Sequence, residues 1–173
     1  MAEPGSNIDI RPVTRPEAAE WRALRLEAMK NHPTAFMSSY EETVKRDLAD
    51  FAARIPEPGG ADVLMGVYEA GVLRGCAGFM REPGLKERHK GAMWGVYVQP
   101  ALRGRSVAEA LIGRLLDHAR EHVSLLRCSV TMDNAAASSL YARLGFVQYG
   151  IEPRSLRYEG KDYDEALLVI SFD

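Results

Sequence analysis

A mixed α/β single domain is predicted, and three observations carry that expectation. The chain of 173 residues has the length of one globular domain and buries enough surface for a core without metal or disulfide staples. Strand-like alternating runs and helix-like apolar stripes interleave in the order β-α-α-β-β-β-α-β-α-β-β. One βαβ crossover, from the strand near Ala92 to the strand near Leu126, demands a parallel pair within a largely antiparallel set. The expected architecture (α/β, of the α+β kind) is a mixed central sheet of about six to seven strands flanked by about four helices.

Residues 1–7 are polar and carry Pro4 and Gly5, so they read as a flexible tail before a domain over 8–173. Ile8-Asp9-Ile10-Arg11 alternates apolar and polar, a first strand. Thr14-Arg15-Pro16-Glu17 is a capping box with proline in the first turn. Ala18, Trp21, Leu24 and Ala28 then recur at helical spacing until Asn31-His32-Pro33. A second capping box, Ser39-Tyr40-Glu41-Glu42, opens a helix with Val44, Leu48, Phe51 and Ile55 on its apolar face, closed at Pro56. Strand-like runs at 63–68 and 72–80 flank a turn at Ala70-Gly71, which predicts a hairpin. A charged loop at 81–90 leads into a strand over 92–99, stopped by Pro100. Ala108, Leu111, Ile112, Leu115, Leu116 and Ala119 form one apolar helical stripe. A strand over 126–132 follows, then a short helix over 134–144 with Asn134 as N-cap and Gly145 after its end. Strands at 146–149 and 166–172 close the chain around a loop containing Pro153 and Glu159-Gly160-Lys161.

Composition narrows the functional classes. With 22 Lys+Arg against 24 Asp+Glu, the net charge of −2 lacks the positive excess of a nucleic-acid footprint. No apolar run approaches the roughly 20 residues of a membrane span, and the start of the chain lacks the basic and apolar segments of a signal peptide. Cys76 and Cys128 sit in apolar strand-like runs and read as buried thiols in a reducing compartment. The expectation is a cytoplasmic protein that binds neither nucleic acid nor membrane.

The segment with most chemical content is Gln99-Pro100-Ala101-Leu102-Arg103-Gly104-Arg105-Ser106-Val107-Ala108. Two arginines at the positive end of a helix macrodipole are unfavourable by about 0.3–1 kcal/mol each unless an anion offsets them. A strand, a small-residue loop and a helix start together suit phosphate, although solvated loop arginines would fit the spacing equally well. Walker and Rossmann fingerprints are absent from the sequence. His118-Ala119-Arg120-Glu121-His122 matches H-x-x-E-H, but it lies at a helix end where the dipole favours His, with no third ligand near in sequence. No metal is expected. Asn134-Ala135-Ala136-Ala137-Ser138-Ser139-Leu140-Tyr141 reads as a capped core helix, in which a cleft-facing Tyr141 hydroxyl could donate a proton.

These segments, in this order, resemble the GNAT superfamily of acyl-CoA-dependent N-acetyltransferases. Arg103-Gly104-Arg105-Ser106-Val107-Ala108 is similar to the family's pyrophosphate signature [QR]-x-x-G-x-[GA], with Ser106 where that signature has its central glycine. Val96-Tyr97-Val98-Gln99-Pro100 resembles the strand that pairs with the pantetheine arm. Asn134, Ala137, Leu140-Tyr141 and Gly145-Phe146 match N-x-x-A-x-x-L-Y-x-x-x-G-F. The likeness is specific over residues 92–150. It implies acetyl-CoA as co-substrate and Val96, Tyr97, Val98, Arg103, Gly104, Arg105, Ser106, Val107, Ala108, Asn134, Ala137 and Tyr141 as its contacts. It further implies direct transfer to a primary amine with Tyr141 as general acid. Glu41, Glu42 and His89 are candidate bases, and Phe36, Tyr40, Glu41 and Trp94 candidate acceptor-pocket residues. A small-molecule amine is the favoured acceptor, with a protein N-terminus or lysine as the alternative. A non-catalytic acyl-CoA-binding or sensory domain, or a module for another nucleotide's phosphate, also stays open. The chain is expected to act as a monomer or homodimer.

Overall fold

The computed structural model describes residues 7–172. Strand β1 (Ile8–Pro12) leads through a 3-10 turn (Arg15–Glu17) into helix α1 (Ala18–Asn31), followed by the short helices α2 (Tyr40–Thr43) and α3 (Leu48–Arg54). Three strands follow, β2 (Val63–Glu69), β3 (Val72–Arg81) and β4 (Lys90–Val98); then come α4 (Val107–Ala119), β5 (Leu125–Thr131), α5 (Ala135–Arg143), β6 (Val147–Tyr158) and β7 (Lys161–Ser171). All seven strands join one sheet in the order β1-β2-β3-β4-β5-β7-β6. Only β4 and β5 pair in parallel, as the crossover through α4 requires.

Strand periodicity builds two cores. Along β2, Val63, Met65 and Val67 face one side, where they pack with Leu111, Ile112 and Leu115 of α4. Leu64 and Tyr68 face the other, against Trp21 and Leu24 of α1 and Phe51 of α3. The helices thus cover the sheet on both faces. At the β2–β3 turn, Ala70 (φ 51°) and Gly71 (φ 80°) are both left-handed, the geometry of a tight hairpin turn.

The structure departs from the sequence expectations in three places. The single helix expected after Ser39 is two, because the Asp47 side chain accepts the Asp50 N–H at 2.9 Å and starts α3 afresh. Leu48, expected on the apolar face, is 49% exposed. The five α-helices exceed the expected number by this break. The loop expected around Pro153 is instead strand, since β6 and β7 run as one long hairpin. β6 is an edge strand, exposed along most of its length, so it lacks the alternation that marks a half-buried strand, and an edge tolerates the missing proline N–H. Residues 1–6 of the expected tail lie outside the described residues, while the Asn7 carbonyl accepts the Ala70 N–H at 3.2 Å.

Candidate active site

The site begins where two parallel strands part. β4 and β5 pair only at Lys90↔Leu125, Gly91↔Leu126 and Ala92↔Arg127. Beyond Ala92, β4 stays with β3 but bulges, since Cys76 faces Tyr97 and Gly78 faces Trp94. Gly95 adopts φ 63° at this bulge, a conformation glycine takes without strain. The bend turns β4 away from β5 and opens a cleft of about 610 Å³. Residues 93–98 line one wall and residues 128–131 the other, with Asn134, Ala137, Leu140 and Tyr141 of α5 beside them.

At one end of the cleft lies the loop before α4. Gly104 (φ 74°) and Ser106 (φ 56°) are left-handed, and the Ser106 side chain does not cap the helix. The amide N–H groups of residues 104–109 find no backbone acceptor among the described residues. A run of free donors at a helix start has the geometry of an anion-binding concavity. Ser106 is exposed and lines the cleft, and its left-handed backbone costs conformational strain. The two arginines separate. Arg103 Nη2 meets His32 Nε2 at 2.9 Å in the cleft lining. The Arg105 guanidinium instead pairs with Glu69 at 2.9 Å and does not line the cleft, a correction to its expected role as a side-chain ligand.

Tyr141, from α5, is 7% exposed and packs its ring 5.7 Å from that of Phe146. Its hydroxyl makes no hydrogen bond among the described residues. Burial, with the Cys128 thiol beside it, pushes its pKa well above the ordinary phenol value, so the phenol keeps its proton at neutral pH. Burial likewise pushes the Cys128 thiol up to about 12 and Cys76 up to about 11. Neither is a thiolate nucleophile.

On the α1 side, Phe36 and Trp94 line the cleft, while Tyr40, Glu41 and Glu42 do not. Glu42 Oε2 accepts the Ser39 hydroxyl at 2.9 Å and is engaged in capping α2. His89 lies before β4 at the closed end of the β4–β5 pair, where its carbonyl accepts the N–H groups of Ser124 and Leu125 at 2.9 and 3.1 Å. Along the strand that is roughly 20 Å from Gly95. None of the candidate bases is therefore in the cleft. Two residues that the sequence did not single out are close by. Glu27 accepts Tyr97 OH at 2.8 Å and Gln99 Nε2 at 2.9 Å, which stiffens the outer half of β4. His32 receives a hydrogen bond from Arg103 on Nε2, so its proton is on Nδ1 and the ring is neutral. Burial, reinforced by Arg103, lowers its pKa. Only the break of the helical pattern at Asn31 marks His32 in the sequence, and nothing marks Glu27. The His118 and His122 rings lie 4.7 Å apart, but His118 Nε2 is engaged with the Ala61 carbonyl at 2.7 Å. Among the described residues no group of three or more His, Cys, Asp or Glu side chains is placed to hold a metal ion.

A sheet parted at a bulge, with an uncapped helix start at one end of the gap, is shaped to take an extended, anionic ligand between two strands. The family model described as the acetyltransferase (GNAT) family matches residues 21–146, and the chain belongs to that family. The N-alpha-acetyltransferase RimI of Mycobacterium tuberculosis is 36% identical over 102 residues, which cover 57% of this chain and 60% of the relative. The mycothiol acetyltransferase of Salinispora arenicola is 32% identical over 146 residues, 81% of this chain and 44% of the relative. The chain thus spans less than two thirds of both curated relatives. Among solved structures, yncA of Salmonella typhimurium, solved with its cofactor acetyl-CoA, aligns at TM-score 0.79 and 25% identity over 97% of this chain and 95% of that one. A GCN5-related N-acetyltransferase from Kribbella flavida aligns at TM-score 0.79 and 19% identity over 95% and 97% of the two chains, a likeness of fold. No helix of the described residues is long and apolar enough to cross a membrane.

Proposed function

We propose that the protein transfers the acetyl group of acetyl-CoA to a primary amine on a small molecule, with Tyr141 as general acid. The observation that carries this is the continuity of the cleft, from the free donors at residues 104–109, past the parted edge of β4, to the Tyr141 ring. Acetyl-CoA supplies an activated thioester. The loop and Arg103 hold its diphosphate, and the free edge of β4 around Val96 and Val98 orients the arm and polarises the carbonyl. The amine nitrogen forms the new bond to the acetyl carbon as the carbon–sulfur bond breaks. Tyr141 gives its proton to the departing sulfur, and the amine's proton leaves to water at the mouth, beside neutral His32. The products are an N-acetyl amine and free CoA.

A small acceptor is supported by the modest net charge of −2 and by the mycothiol acetyltransferase relative. The RimI relative supports a second reading, acetylation of a protein N-terminus, so an acceptor screen includes both free amines and peptides. The first experiment is thermal unfolding with acetyl-CoA at about 100 times its Kd, where a specific site adds about 2.7 kcal/mol and raises Tm by about 5–10 °C. Absence of any shift overturns the assignment. Tyr141→Phe is expected to lower turnover by about 10²-fold with acetyl-CoA affinity unchanged, and unaltered turnover would remove Tyr141 as the acid. Binding without turnover on any amine or peptide would favour a sensory domain.

A further inference from the structure

Behind the α1-side lining of the cleft, where Phe36, Trp94 and Gly95 form the wall but Arg25 does not itself line it, lies a cation without an anion. Arg25 is half-buried, and its guanidinium lies over two rings of the lining, 5.5 Å from the Phe36 centroid and 5.8 Å from that of Trp94. A Cβ added at Gly95 would meet Arg25 Nη1 at 3.0 Å, so the head group rests against the bulge of β4. Among the described residues no hydrogen-bond acceptor or carboxylate engages it. The charged or titratable groups that act on it are Arg46, a second cation, and the protonated Cys76 thiol. Arg22, one helical turn earlier on α1, shows the contrast by donating to the Val44 carbonyl at 2.8 Å. Burying a charge without a partner is costly, and the two aromatic faces offset only part of that cost. The unused N–H donors of a guanidinium form a planar fork matched to a carboxylate.

We propose that Arg25 receives the carboxylate of the acceptor, which makes the acceptor a free α-amino acid. This rests on the acetyltransferase reading and specifies its substrate class. The head group abuts Gly95, and the adjoining Val96 lies on the β4 edge assigned to the thioester carbonyl. Carboxylate seat and transfer point are therefore next to each other along the strand. An α-amino acid, whose amine and carboxylate share one carbon, spans that interval, with Phe36 and Trp94 left to flank its side chain. A peptide N-terminus has no carboxylate at this position and leaves Arg25 unpaired.

The test measures kcat and KM with acetyl-CoA for free α-amino acids, the matching decarboxylated amines, the matching amides, and short peptides. The expected result is a preference of about 100-fold or more in kcat/KM for the free amino acids. Arg25→Met should raise KM by about 100-fold with acetyl-CoA affinity unchanged, and Arg25→Lys should recover part of the loss. Tm of Arg25→Met should stay level or rise, because the substitution removes an unpaired buried charge, whereas a merely structural arginine would lower it. Equal turnover of amines, amides or peptides overturns the proposal, as does an Arg25→Met variant with unchanged KM. If acetyl-CoA binds but nothing is turned over, the catalytic reading fails on its own. Calorimetric titration of CoA-saturated protein with free α-amino acids then decides the carboxylate seat: binding abolished by Arg25→Met sustains it, and no binding overturns it.

Discussion

Helices α3 and α4 begin in opposite ways. α3 is closed by its own chain, with the Asp47 carboxylate accepting the Asp50 N–H at 2.9 Å. α4 begins with Ser106 in the left-handed region at φ 56° and ψ 18°, without a side-chain cap. Its approach leaves the N–H groups of residues 104–109 without backbone acceptors among the described residues. Both helix starts carry a positive dipole end and orphan donors. A helix that satisfies those groups from within has no use for a ligand there, and one that leaves them open is poised to take an anion. The difference places the candidate diphosphate seat at α4 and nowhere along α3.

The comparison breaks most sharply when α4 is made to resemble α3. Ser106→Asp gives the helix its own anion, which repels a diphosphate at a cost of several kcal/mol. A fall of about 100-fold in acetyl-CoA affinity by calorimetry is expected, and unchanged affinity would move the diphosphate elsewhere. Within the loop, Arg103 faces the cleft while Arg105 is tied to Glu69. Arg103→Ala should therefore weaken acetyl-CoA by about 10-fold, the worth of one charge-assisted hydrogen bond, and Arg105→Ala by less than about threefold.

The 3-10 turn before α1 offers a control of intermediate size. Its Glu17 carboxylate accepts from the Thr14 N–H and hydroxyl, each at 2.8 Å, and from Arg11. The Arg11 hydrogen bond holds its pKa down at about 2 instead of 4.5. A carboxylate with a lowered folded pKa stabilises the fold above its unfolded value, and that contribution is lost as pH falls from about 4.5 toward 2. Because Arg11 is well exposed, about 1–2 kcal/mol is expected, and Glu17→Gln should flatten this part of the stability–pH curve from denaturant unfolding. A small effect of opposite sign is expected at Ser106 itself. Ser106→Gly relieves left-handed strain and should raise stability by about 1 kcal/mol, with acetyl-CoA affinity equal or better. A large loss of affinity would instead make the serine hydroxyl a specific ligand.

Short-range features of the chain were legible because their physics is local. Thr14 and Glu17, the Ala70-Gly71 turn, the apolar stripe of α4, and the Asn134 cap that accepts the Ala137 N–H at 3.2 Å each act across a few residues. The break at Asp47 is masked in the sequence by an apolar period that runs straight through it, and β6 by the lack of a buried face that would impose a pattern on an exposed edge strand. Glu42 and His89 are plausible bases by type, yet capping and position remove both from the cleft.

The sequence by itself determined the order of the elements, the small-residue, arginine-bearing loop before α4 and the helix that carries Tyr141. Tertiary structure alone decided which walls face each other. The bulge at Gly95 rests on the β3–β4 register and the His32 contact on Arg103 of the loop before α4, while the Glu27–Tyr97 bond between residues 70 positions apart and the seat of Arg25 against Gly95 depend on how α1 packs across β4. Such contacts join distant segments, whereas periodicity and capping extend only over a turn or two of chain.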